Sequence, residues 1–184
     1  GCYTLGNAAP LDMVDTCLCM GAGINMAQGV WHVEPDTTCF AFVGDSTFFA
    51  SAMTGVVNAV YNEADMILVV LDNSTTAMTG HQPHPGTGHR MMELVPGYVK
   101  PDIANRVSIE KVLEGIGVKA IEIADPMDLA SSVAAVRKLA DMSGVRAIIF
   151  RSPCAVIIKP DQPFAVDQAS CIGCRKCINS IGCP

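Results

Sequence analysis

The sequence predicts an α/β fold: a three-layer, doubly wound, mostly parallel sheet with helices on both faces. Three observations point there. Short apolar runs alternate with segments whose apolar residues recur at helical spacing. The run at 66–73, MILVVLDN, is apolar until its last two residues, as expected of a strand buried on both faces. Polar residues gather just after the strand-like runs, at the edge where open α/β sheets bind ligands.

Taken in order, residues 1–20 read as irregular and cysteine-rich, with a turn at Pro10. GAGINMAQGVW (21–31) reads as a helix whose glycines suit close approach to a neighbour or ligand, and Pro35-Asp36 as a turn. TCFAFVG (38–44) is the first strand. Residues 45–64 form one helix, with Phe49, Met53, Val56, Val57 and Val60 at helical spacing. After the second strand, STTAMTGHQPHPGTGHR (74–90) is too long and too polar for a mere connection. A helix over 103–117 ends near Gly117, and a third strand covers 118–126. A helix over 126–144 starts near the cap residue Asp128, and a fourth strand covers 145–153. Residues 153–170 lead out into a closing cysteine-rich stretch. The chain divides into a main domain over 1–160 and the beginning of a second module over 161–184.

The 184 residues, half of them hydrophobic, suffice for one well-formed core. A net charge of −6 and the lack of any lysine/arginine run argue against a nucleic-acid partner. No apolar stretch reaches the length of a membrane span, and no basic start leads into a leader-like run, so neither is expected. The nine cysteines are an odd number, which fits poorly with a complete disulfide framework. They suit metal ligation in a reducing compartment, and a cytoplasmic location is expected.

Two constellations carry chemistry. The first is Gly44-Asp45-Ser46 at the end of the first strand, with Asp72-Asn73-Ser74-Thr75 at the end of the second. If these strands are neighbours, one crossover brings the Asp45 carboxylate and the Asn73 amide oxygen together. With the Thr75 carbonyl they offer oxygens to a hard divalent cation such as Mg²⁺. The helix after Asp45 offers N–H groups to a diphosphate. Either residue alone is also explained as a helix cap or a turn residue.

Gly44-Asp45-Ser46 followed by Asp72-Asn73 resembles the thiamine-diphosphate motif, whose usual form is Gly-Asp-Gly and then Asn-Asn. DTCLCMGAGI, GDSTFF, NAVYN, VVLDNSTTAMTGHQPHPGTG and the closing cysteines together resemble the large (alpha) subunit of the indolepyruvate ferredoxin oxidoreductases, over nearly the whole chain. The resemblance implies a thiamine-diphosphate-binding fold and oxidative decarboxylation of aryl pyruvates. Coenzyme A would be the co-substrate, the products aryl-acetyl-CoA and CO₂, and an external ferredoxin the electron acceptor. It implies Asp45 and Asn73 as side-chain Mg²⁺ ligands and Thr75 as a carbonyl ligand, with Gly44 and Ser46 beside the cofactor. By the same resemblance Met20 buttresses the bent cofactor, although core packing explains it equally well. Gly21 and Gly23 let backbone approach the cofactor, or serve tight helix packing.

His81 and His84 are candidates for contact with substrate, CoA or diphosphate. His32 and His89 read as ordinary surface residues. Where the family often has His after the two phenylalanines, this chain has Ala50. The glutamate that activates the cofactor's aminopyrimidine is expected in a separate pyrimidine-binding domain, of the same full-length chain or of a second copy. A small (beta) subunit is a further expected partner, and the stretch alone is expected to turn nothing over. A non-oxidative thiamine-diphosphate decarboxylase and an electron-transfer or scaffold subunit are the competing readings.

The second constellation is CIGCRKCINSIGCP. Cys171, Cys174 and Cys177 have the C-x2-C-x2-C spacing of a [4Fe–4S] site, and Cys183 precedes a proline. By ferredoxin logic the first three serve one cluster and Cys183 a second, with the remaining ligands beyond Pro184. Cys2, Cys17 and Cys19 read as core or cofactor-lining thiols, and Cys39 and Cys154 as buried small hydrophobes.

Overall fold

Met66–Asp72 forms a strand that is apolar on both sides because both sides are covered. Met66, Leu68 and Val70 enter one core cluster, while Ile67 and Val69 enter another. This strand organises the domain. The structure, a computed structural model, describes residues 1–89, 105–158 and 165–181.

In chain order a 3₁₀ turn (Cys2–Asn7) precedes α1 (Ala22–Val33), β1 (Phe40–Gly44), α2 (Asp45–Thr47), a π-helical turn (Phe48–Ala52) and α3 (Met53–Tyr61). Then come β2 (Met66–Asp72), a 3₁₀ turn (Ala77–Thr79), α4 (Ile109–Ile116), β3 (Ala120–Ala124), α5 (Leu129–Ala140), β4 (Val145–Arg151) and α6 (Lys176–Ile181). The four strands pair in parallel in the order β1-β2-β4-β3. The expected doubly wound parallel sheet is therefore present.

The order explains the layers. The connections β1→β2 and β2→β3 run one way across the sheet, and β3→β4 runs back. A single crossover hand then puts their helices on opposite faces. Ile24 and Ala27 of α1, Val56 and Ala59 of α3, and Ile109 and Leu113 of α4 pack on the face carrying Val43, Leu68 and Ile149. Leu139 of α5 packs on the other, with Ile67, Val69 and Ile148. Between α1 and α3 the buried Gln28 donates from Nε2 to the carbonyls of Ile24 (3.2 Å) and Gly55 (3.1 Å), and accepts from Asn58 Nδ2 at 2.7 Å. Buried Arg146 on β4 donates from Nε to the Leu139 carbonyl at 3.1 Å and pairs with Asp65.

Several boundaries differ from the sequence reading. The helix expected over 45–64 is interrupted by the π-helical turn. Its buried face is Phe48, Ala52, Val56 and Ala59, so Phe48 rather than Phe49 fills the core, and Val57 is exposed. The helix expected from 103 starts at Ile109, because the Ser108 side chain accepts the Lys111 N–H at 3.1 Å and caps it there. Residues 103 and 104 lie outside the described residues. The other two caps fall where expected: Gly117 ends α4 at φ 105, and Asp128 caps α5 by accepting the Ser131 N–H at 3.1 Å. Among the described residues, no helix is long and apolar enough to cross a membrane. The expected boundary at residue 160 and the residue Cys183 lie outside the described residues.

Candidate functional site

Parallel pairing places Gly44 opposite Leu71, so β1 and β2 end level with each other. Asp45 begins the helix after β1, and Asn73 follows β2 directly. Asp45 is 3% exposed. Its Oδ1 accepts the Ser46 N–H at 2.8 Å, and its Oδ2 lies 3.1 Å from His84 Nε2. Asn73 is half-buried; its Oδ1 accepts the Thr75 N–H at 3.3 Å and its carbonyl accepts the Cys154 N–H at 2.9 Å. Thr75 is buried. The Thr76 hydroxyl donates to the Ser46 hydroxyl at 2.8 Å, which ties the two strand-end loops together.

The loop after β2 folds back over this edge. The Thr76 N–H donates to the Gln82 carbonyl at 3.0 Å, and the His81 N–H to the Thr76 carbonyl at 3.0 Å. This return carries His84 onto Asp45. The imidazole is buried, stacks on Phe49 with centroids 5.9 Å apart, and accepts the Gly86 N–H on Nδ1 at 3.1 Å. Tyr3 of the N-terminal turn approaches the end of β1: a Cβ added at Gly44 would lie 3.1 Å from its Cε1.

Beside this edge lies a cavity of about 270 Å³, lined by Asp72, Arg151, Glu110 and Arg106 among others. Asp72 is buried and committed there. Its Oδ2 accepts from Arg151 Nε at 2.7 Å, its Oδ1 accepts the Ser74 N–H at 3.1 Å, and Arg106 stands at 3.9 Å. Arg151 also pairs with Glu110 at 2.7 Å. Burial by itself would raise the Glu110 carboxyl. Hydrogen bonds from Ser108, from its own N–H and from Arg151, with the Arg151 charge, outweigh this and bring it down to about 2.

Residues 1–149 match the family model described as the thiamine pyrophosphate enzyme, C-terminal TPP binding domain. The chain belongs to the thiamine pyrophosphate enzymes. It is related to the indolepyruvate oxidoreductase subunit IorA of Archaeoglobus fulgidus, at 39% identity over 191 aligned positions. IorA of Pyrococcus horikoshii is 34% identical over 205 positions and that of Methanothermobacter thermautotrophicus 36% over 186. Each alignment covers all of this chain and, respectively, 29%, 30% and 29% of the relative. The chain thus spans under a third of the length of the curated relatives it matches. A solved 2-oxoglutarate:ferredoxin oxidoreductase from Magnetococcus marinus shares the fold, with TM-score 0.59 and 18% identity over 73% of this chain and 45% of that one.

The donor set of this TPP binding domain fits a hard divalent cation. Asp45 is a buried carboxylate, and among the described residues no lysine or arginine pairs with it. An uncompensated buried charge is costly, and a bound cation compensates it. Asp72 is already neutralised by Arg151, so the two acids beside the site are not equivalent. The Asn73 amide oxygen and the Ser46 and Thr76 hydroxyls add neutral oxygens of the type such a cation takes.

The remaining candidates in this TPP binding domain separate. His81 is exposed and its backbone is left-handed at φ 65, while His84 alone reaches Asp45. Met20 is exposed, which corrects the core-packing alternative; its carbonyl accepts the Ser51 hydroxyl at 3.1 Å. Gly21 is the N-cap of α1 at φ 89, and an added Cβ would lie 2.5 Å from Ser51 Oγ. This contact is the close packing expected as one of the two roles of Gly21. Gly23 packs near the Phe42 carbonyl, and Ala50 is exposed.

Cys2, Cys17 and Cys19 are exposed rather than in the core, and Cys154 is only half-buried, whereas Cys39 is buried as expected. Cys171, Cys174 and Cys177 are exposed. Among the described residues no three His, Cys, Asp or Glu side chains stand together as a metal site.

Sequence reasoning missed Tyr3, Phe49 as the partner of His84, and the Arg151–Asp72 pair. The last left a trace: Arg146 and Arg151 interrupt an apolar strand, and a charge there needs a buried partner.

Proposed function

We propose that this chain is the diphosphate- and Mg²⁺-binding part of an oxidoreductase that decarboxylates aryl pyruvates such as indolepyruvate. Coenzyme A takes up the acyl group, and electrons leave through [4Fe–4S] clusters to ferredoxin. The observation that carries the reading is the buried Asp45 carboxylate, which has no lysine or arginine partner among the described residues, at the end of β1 and level with the end of β2. The likeness to IorA supports the substrate class. Asp45 and Asn73 would hold the Mg²⁺ by their side chains, and Thr75 by its carbonyl. Gly44, the Ser46 hydroxyl and the N–H groups that follow Ser46 would face the diphosphate.

When bound, thiamine diphosphate supplies the electron sink that a departing CO₂ requires. The chain's own residues bind and orient it. Asp45 supplies the charge, and the Thr76–Ser46 hydrogen bond keeps the two ligand-bearing loops in register. The folded-back loop brings His84 onto Asp45. Residues 161–184 begin the ferredoxin-like module, with Cys171, Cys174 and Cys177 for one cluster and Cys183 for another. The activating glutamate, the small subunit and the aryl pocket are contributed from outside this stretch, in a cytoplasmic complex.

The test is an assay of the full-length protein with its small subunit, using indolepyruvate, phenylpyruvate and pyruvate with CoA and a viologen acceptor. Faster turnover of the aromatic acids is expected; pyruvate outpacing them overturns the substrate class. Asp45→Ala is expected to abolish Mg²⁺-dependent cofactor binding, and retained binding removes Asp45 as a ligand.

A further inference from the structure

The hydrogen bonds around His84 determine which ring nitrogen carries hydrogen. Gly86 donates its N–H to Nδ1 at 3.1 Å, so Nδ1 offers a lone pair. The ring hydrogen is then on Nε2, which donates to Asp45 Oδ2 at 3.1 Å. The ring has little freedom to turn away. Phe49 stacks against it at an interplanar angle of 30°. Gly86 sits so close that an added Cβ would lie 2.9 Å from Phe49 Cε2 and 3.0 Å from His84 Cε1. The Thr87 N–H and hydroxyl donate to the His84 carbonyl at 2.9 and 2.8 Å and pin the backbone.

Asp45 thus has a donor on each oxygen, the Ser46 N–H on Oδ1 and His84 on Oδ2. Both are neutral groups. A lysine or arginine in place of His84 would orient the carboxylate equally well but would neutralise it. Two neutral donors fix the orientation and leave the charge and the remaining lone pairs for a cation.

We propose that His84 is the positioning residue for Asp45: an imidazole locked as its Nε2–H tautomer by Gly86 and Phe49, which holds the carboxylate in the orientation that ligates the divalent cation of a diphosphate cofactor. This rests on the reading of Asp45 as a cation ligand.

The test is Mn²⁺ binding, followed by electron paramagnetic resonance, to the full-length complex in the presence of thiamine diphosphate. Four forms are compared: wild type, H84L, H84Q and H84N. Leucine removes the donor and should weaken Mn²⁺ binding by about 10–100-fold. The glutamine amide reaches where Nε2–H stands and should restore binding to within about threefold of wild type, whereas the shorter asparagine should not. H84Q and H84N carry the same amide, so a difference between them reports the reach of the donor and not general folding. Binding by H84L equal to wild type overturns the positioning role and leaves Asp45 as a ligand. Equal loss in H84Q and H84N overturns the Nε2–H assignment. No Mn²⁺ binding by wild type overturns the cation reading of Asp45, and this inference with it.

Discussion

Arg151 Nε lies 2.7 Å from Asp72 Oδ2, across the ends of two neighbouring parallel strands. The register pairs the two residues directly, so the guanidinium at the end of β4 reaches the carboxylate at the end of β2. Asp72 immediately precedes Asn73, yet its charge is already spent on this pair. At this edge Asp45 is the acid without a lysine or arginine partner among the described residues.

Replacing Arg151 by methionine leaves Asp72 buried beside a more distant Arg106. The expected destabilisation is about 2–3 kcal/mol, between that of an exposed pair and that of a buried one. The midpoint of urea unfolding measures it. A midpoint equal to wild type would show that Ser74 and solvent suffice for Asp72.

Against the effect of burial, hydrogen bonds from Ser108 and Arg151 hold the Glu110 carboxyl at about 2, below its ordinary value of 4.5. A carboxyl lowered on folding stabilises the fold above its unfolded value, and that contribution is lost as pH falls toward the folded value. Between pH 6 and pH 3 the loss from this group, reduced by solvent screening at the open cavity, is on the order of 1 kcal/mol. E110Q should remove that part of the acid sensitivity, and an unchanged difference in unfolding free energy between the two pH values would contradict it.

Gly21 begins α1 in left-handed backbone, with Ser51 Oγ where a Cβ would go. Gly21→Ala is expected to cost about 1–3 kcal/mol from backbone strain and crowding together. S51A in the same chain should recover part of this, since it removes the crowding atom and leaves the strain. A double variant no more stable than Gly21→Ala alone would place the whole cost on the backbone.

Gly86→Ala should push the Phe49 and His84 rings apart from the Gly86 backbone. The expected result is weaker Mn²⁺ binding, comparable with H84L, while the far-ultraviolet dichroism stays that of wild type. Unchanged Mn²⁺ binding would show that His84 holds its place without the close approach of Gly86.

Periodicity was enough to read the strands and most helices, because a strand covered on both faces must be apolar at consecutive positions. Met66 through Leu71 meets that demand plainly. The caps Asp128 and Gly117 were legible for a similar reason, since each satisfies a local geometric need. The start of α4 was not. Apolar residues before Ser108 continue a helical pattern, and only the cap hydrogen bond to Lys111 shows where the turn begins. The π-helical turn was also invisible, because it changes the helix phase without a distinctive residue.

The sequence by itself determined the sheet, the polar strand ends and the pairing of Asp45 with Asn73 as a candidate site. These follow from local patterns and from the rule that joins successive parallel strands. Only the tertiary structure decided which acid is paired with an arginine and which histidine of the loop meets Asp45. His81 and His84 look alike in the sequence, and nothing local shows that Asp72 beside Asn73 has an arginine partner while Asp45 has a histidine. What separates them is contact across the sheet edge: Arg151 lies 79 positions from Asp72 and His84 lies 39 from Asp45. Long-range contacts of this kind are set by folding of the chain, and no local pattern encodes them.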